Sequence, residues 1–242
     1  MFGFRMDKKV LYIILAILLV TTITKLTPSG LLGLILTVPG VLIAITFHEF
    51  AHAFVADKLG DITPRSQGRL NLNPLSHMDP IGVVMLLVAG FGWGKPVEIN
   101  PRNFSSKMSA SAAQALVSLA GPVMNFLLAL VFLILMYIVF PAGSIIALST
   151  NTSAVLYYVL FYIVITNIGL GVFNLIPLPP LDGSKILKHF LSYNAKQWFE
   201  EKEQLFYIAF VIFWITPLSG MIISPLINWV YIGFNYLVGL IF

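Results

Sequence analysis

The chain has 242 residues, 58% of them hydrophobic and only 10% charged, with a formal net charge of +4 and a mean hydropathy of +0.92. So apolar a composition excludes an ordinary soluble domain and points to a membrane protein. Cysteine is absent, which excludes disulfides, thiolate metal sites and cysteine nucleophiles. The excess of Lys and Arg reports orientation in a polytopic chain, so nucleic acid is not an expected partner.

Met1 to Lys9 reads as a cytosolic lead-in. No small-residue cleavage site follows the first apolar run, which is expected to stay in the mature chain. A spanning helix needs about 20 largely apolar residues, and clear candidates lie at about 10 to 27, 31 to 56, 109 to 140 and 153 to 177. Leu205 to Thr216 is a shorter run ended by Pro217, and Met221 to Phe242 is long enough to cross. The expectation is an all-α polytopic membrane protein of about six transmembrane helices; four spans plus a re-entrant pair is the alternative. Between the second and third spans, "PIGVVMLLVAGFGWG" (80 to 94) has an apolar centre too short to cross, with β-branched residues and terminal glycines. It reads as a short re-entrant β-hairpin or strand beside a cavity, where protein or water satisfies its backbone.

With the N-terminus in the cytosol, six spans put every Lys and Arg except Lys25 on the cytosolic side. Gly183 to Leu191 reads as a short amphipathic helix at that interface, and "EEKEQ" as a solvated charge run. The outer loop "PAGSIIALSTNTS" is too short to fold alone, so the whole of 1 to 242 forms one membrane-embedded domain.

Near the cytosolic end of the second span stands "TFHEFAHAF". Residues four apart share a helix face, so His48 and His52 point the same way and Glu49 sits a quarter-turn round the axis. This HExxH pattern pairs two zinc-binding imidazoles with a general base. Ionisable residues at membrane depth are costly and mark function. The bland reading is an interfacial cluster pairing with lysines. Catalytic zinc usually takes three protein ligands, so a third is required. Asp182 in "FNLIPLPPLDGSK" is favoured, because the prolines break the fourth span and return the chain at the same depth. Capping the following helix is its competing role. Asp79 in "SHMDP" is the runner-up, while His77 and His189 read as loop or interface residues. Ala112, Ala113, Ala120 and Gly121 allow close helix packing, and Pro122 is positioned to bend its span. Asn125 would either brace the helices by a hydrogen bond or touch substrate.

Together "HEFAH", "GRLNLNPLSHMDPIG", "GWGKPVEINPRNF", "GPVMN" and "FNLIPLPPLDG" resemble the site-2 protease family of intramembrane zinc metalloproteases, over about residues 40 to 190. The likeness is greatest to the small prokaryotic subgroup that lacks PDZ and nucleotide-binding regulatory domains. The resemblance implies one Zn2+ per chain held by His48, His52 and Asp182, with Glu49 as catalytic base. It implies a catalytic core over about 31 to 191, C-terminal helices over about 204 to 242, and substrate-backbone contact by Asn174. It makes 80 to 94 similar to the family's membrane-associated β-hairpin. The expected function is hydrolysis of peptide bonds in or near transmembrane segments of membrane proteins, that is, regulated intramembrane proteolysis. The expected surroundings are a lipid bilayer, with the active site near the cytosolic face of the cell membrane. Against this stand a cation-binding transporter or channel, a catalytically dead relative, and a different membrane zincin. The last lacks a downstream glutamate inside a span.

Overall fold

The computed structural model describes residues 28–83, 94–105, 107–141 and 151–242. Among these the architecture is helical. Helix α1 runs Pro28–Lys58, followed by single turns α2 (Thr63–Ser66) and α3 (Pro74–His77) and a 3-10 turn at Pro101–Asn103. Long helices α4 (Ala110–Val139) and α5 (Asn151–Asn174) come next. Then follow α6 (Asp182–Phe190), α7 (Tyr193–Glu201), α8 (Glu203–Ile215) and α9 (Leu218–Gly239). Two starts have a visible cap: Ser109 accepts the Ala112 N–H at the head of α4, and Asn73 accepts the Leu75 N–H at α3.

Four of these helices, α1, α4, α5 and α9, are long and apolar enough to cross a membrane, and the protein is a multi-pass membrane protein. The expected count of six is corrected to four among the described residues. The first candidate, 10 to 27, lies outside them. Glu203–Ile215 has 13 residues, about 20 Å of helix, which falls short of the roughly 30 Å hydrocarbon core. The hairpin expectation also changes. No strand forms among the described residues, and Pro80 opens a helical turn through Val83, with Asp79 accepting the Ile81 and Gly82 N–H groups. Residues 84–93 lie outside the description. A single antiparallel bridge, Met78 with Gly94, brings the two ends of the segment side by side.

Helices α1, α4 and α5 pack mutually, and α9 lies against α5 and α4. The buried face of α4 includes Ser118, Pro122, Asn125, Ala129, Leu133 and Met136, a three- and four-residue spacing that draws one stripe along the helix. Helix α4 runs on through Pro122, and α1 through Pro39. Large side chains fill one half of the bundle, where Leu133, Leu160, Val164 and Ile168 meet. Beside this cluster a small residue lets α1 and α5 close: a Cβ on Gly40 would stand 3.0 Å from the Tyr162 carbonyl oxygen and 3.1 Å from Ile163 Cα.

After α5 the prolines fold the chain back in tight turns, with Leu178 N–H donating to Ile176 and Leu181 N–H to Leu178. Gly183 is fixed here by space. A Cβ at that position would collide with the Leu175 and Ile176 carbonyls. This return places α6 against α4, carrying Asp182 to the Lys58 end of α1.

Candidate metal centre

His48 lies ten residues before the end of α1 at Lys58, about 15 Å along the axis. Its imidazole and that of His52 meet edge to face, ring centroids 4.6 Å apart. His48 Nδ1 is 2.7 Å from Asn125 Oδ1, and His52 Nδ1 is 2.7 Å from the Val117 carbonyl oxygen. Both partners accept, so each Nδ1 carries a proton and donates it. That turns both Nε2 atoms toward Asp182 Oδ2, 3.2 Å from His48 and 3.1 Å from His52.

Three acceptors so placed require a positive charge among them, a shared proton or a metal cation. Ligand atoms on a tetrahedral zinc with bonds of about 2.0–2.1 Å stand roughly 3.3 Å apart, close to the spacing from Asp182 Oδ2 to each imidazole. All three side chains are buried, and their ligand atoms lie within 4.8 Å of one another. This donor set fits a zinc ion that keeps a fourth position open. Histidines whose far nitrogen is tied to a carbonyl are the usual supports of such ions.

Asp182 does not cap α6. Leu181 occupies the cap position with no side-chain hydrogen bond, and the second carboxylate oxygen, Oδ1, accepts from Lys185 Nζ at 3.2 Å. Lys185 beside it favours the ionised carboxylate, the form that ligates zinc. Gly121 of α4 closes the other side: a Cβ there would stand 2.6 Å from Cε1 of both imidazoles.

Glu49 stands outside the three clustered donors and is half-buried. Its Oε2 accepts the Val97 N–H at 3.0 Å. The chain bearing Val97 is clamped from behind. Buried Arg69 donates to the Lys95 and Pro96 carbonyls, both at 3.2 Å, and Lys95 N–H donates to the His77 carbonyl at 2.8 Å. Farther along, Asp61 accepts from the Asn100 N–H at 2.7 Å and from Asn103 Nδ2 at 2.9 Å. Burial raises the Asp61 carboxyl, yet hydrogen bonds from Thr63, Asn100 and Asn103 outweigh it and hold the group low.

The structure thus brings His48, His52 and Asp182 together, with Glu49 alongside. Asn125 is fully buried, which fits the bracing role. Asn174, half-buried at the end of α5, donates to the Leu170 carbonyl at 3.0 Å. Asp79 caps a turn and is no ligand in this cluster. His77, expected in a loop or interface, is instead fully buried and donates to the Asn71 carbonyl. His189 lies 3.3 Å from Ser111 Oγ. The reading from sequence missed the Val117 carbonyl, the contact of Gly121 with the imidazoles, and Asn167. A polar residue inside an apolar span was the available signal for Asn167.

Comparison with known proteins agrees with this geometry. The model of peptidase family M50, the site-2 protease family, matches residues 36–216. The chain belongs to this family. YwhC of Bacillus subtilis is 37% identical over 188 residues, covering 78% of this chain and 84% of its own. Rip2 of Mycolicibacterium smegmatis is 29% identical over 198 residues, 81% and 72% of the two chains. MJ0611 of Methanocaldococcus jannaschii is 27% identical over 209 residues, 86% and 96%. Each bears the name of a zinc metalloprotease. No solved structure matches the chain. The M50 protein described here is therefore a membrane metalloprotease, and its cofactor is zinc.

Proposed function

We propose that this M50 protein is an intramembrane endopeptidase that hydrolyses peptide bonds in or near transmembrane segments of membrane proteins, as in regulated intramembrane proteolysis. The observation that carries the reading is the convergence of two Nε2 atoms, from a helix long and apolar enough to cross a membrane, with one carboxylate oxygen, and a carboxylate base on the adjoining residue. His48, His52 and Asp182 hold one zinc ion. Bound there, zinc polarises a scissile carbonyl and lowers the pKa of its water toward neutrality.

The rest is done by the chain's own groups. Glu49 takes a proton from the attacking water through its carboxylate and returns it to the leaving amine as the C–N bond breaks. The Val97 N–H holds one Glu49 oxygen, leaving the other for this transfer. Asn174, beside the turn that carries Asp182, offers its side-chain oxygen to a substrate N–H. A substrate helix hides its carbonyls in its own hydrogen bonds, so it must unwind locally before it can be cut. Its freed backbone then needs partners such as Asn174.

Orientation follows from charge. The described Lys and Arg residues, Lys58, Arg65 and Arg69 among them, cluster in the connections at the site's end of the bundle, so that end faces the cytosol. With the apolar run at 10 to 27 also crossing, as its sequence reads, the N-terminus lies there too. The test is cleavage of a single-span reporter by the purified protein in liposomes. The wild type should cut and Glu49→Gln should keep zinc without cutting. Zinc-dependent cation flux without cleavage would overturn the reading in favour of a transporter.

A further inference from the structure

We propose that Asn167 is a positioning residue for the metal centre, holding His48 in its ligating tautomer through Asn125. The inference rests on the reading of His48 as a zinc ligand. It follows from the direction of four hydrogen bonds that cross α5, α4 and α1.

The chain of bonds begins at a group with no choice. The Ile163 carbonyl can only accept, and Asn167 Nδ2 donates to it at 2.9 Å. The nitrogen end of the Asn167 amide is thereby fixed, and Oδ1 faces Asn125. Asn125 Nδ2 donates to Asn167 Oδ1 at 3.0 Å and to the Ala44 carbonyl at 3.0 Å. Both of its protons are used, so only Oδ1 remains for His48 Nδ1, at 2.7 Å. An acceptor there demands a proton on Nδ1 and leaves the lone pair on Nε2, the nitrogen aimed at Asp182. Asn125 and Asn167 are both 0% exposed, so water offers no alternative partner. Reversing either amide would set donor against donor or acceptor against carbonyl in a buried site.

Asn167 touches neither imidazole, carboxylate nor base; it acts by fixing Asn125. Losing such outer support of a ligating histidine typically weakens metal binding 10–100-fold. Because the Ala44 carbonyl still restrains Asn125, the expected loss lies near the lower end of that range.

The experiment is chelator competition for zinc on the full chain in detergent, with melting temperature recorded beside it. Asn167→Leu should bind zinc about tenfold more weakly. In an Asn125→Leu background the same change should add no further loss. Asn167→Asp, whose carboxyl in its protonated form donates to the Ile163 carbonyl and accepts from Asn125, should bind within about twofold of the wild type at a pH that keeps it protonated. If Asn167→Leu is not recovered folded, Asn167→Ser takes its place in the cycle. Wild-type affinity in Asn167→Leu, or an equal loss with and without Asn125, would show packing alone and overturn the proposal. A wild type that binds no zinc would instead remove the metal-site reading on which it stands.

Discussion

The two halves of α4 do opposite work on one helix. From Ala113 to Asn125 its buried residues are small or polar, and Gly121 lies against both imidazoles. From Ala129 to Met136 they are apolar and pack against Leu160, Val164 and Ile168. The second half holds the bundle together by burial. The first half contributes little apolar area; it lets the backbone approach the site and supplies acceptors, a carbonyl at Val117 and an amide at Asn125. Stability and chemistry are thus separated along one helix, and substitutions in the two halves should fail in different ways.

The largest effect is expected at Gly121. Gly121→Val would drive branched carbons into both imidazoles. Metal analysis should find zinc lost, and the reporter assay at least about a 100-fold fall in cleavage, the scale set by angstrom-sized misplacement. Next comes Val97→Pro, which removes the N–H that holds Glu49. Cleavage should fall about tenfold or more while zinc remains, because the base rather than the metal site is disturbed. Retained activity would show that Glu49 needs no such anchor.

In the other half, Leu133→Ala should cost about 2–5 kcal/mol of stability, read in thermal or denaturant unfolding. Zinc stoichiometry and activity per folded molecule should be unchanged; loss of zinc would mean the two halves are coupled. The smallest effect concerns Asp61, whose folded carboxyl is held low by its hydrogen bonds. Its contribution is fully present above the unfolded value of about 3.9 and is lost as pH falls through the lower folded value. Asp61→Asn should flatten that part of the stability profile without shifting the neutral-pH zinc affinity.

Much of the site was legible because its chemistry resides in side chains with fixed spacing. His48, Glu49 and His52 announce themselves on one helix turn, and Asp182 follows from the need for a third ligand where prolines turn the chain. The supports were less legible for a physical reason. The Val117 oxygen belongs to the backbone, so no residue type signals it, and Gly121 reads equally as helix packing until its Cβ is placed among the imidazoles. In the fold, hydropathy located the long helices but misjudged α8, whose apolar run stops at Thr216 before reaching spanning length. At Pro80 the preceding Asp79 captured two N–H groups and started a helical turn, where β-branched residues had suggested a strand. That local cap outweighs a weak β preference.

The most direct test of the central claim is X-ray absorption at the zinc edge on the purified protein, with metal stoichiometry. One zinc per chain, with two imidazoles and oxygen donors at about 2.0–2.1 Å, is the expected result. A third imidazole, or no retained zinc, would contradict the assignment of His48, His52 and Asp182.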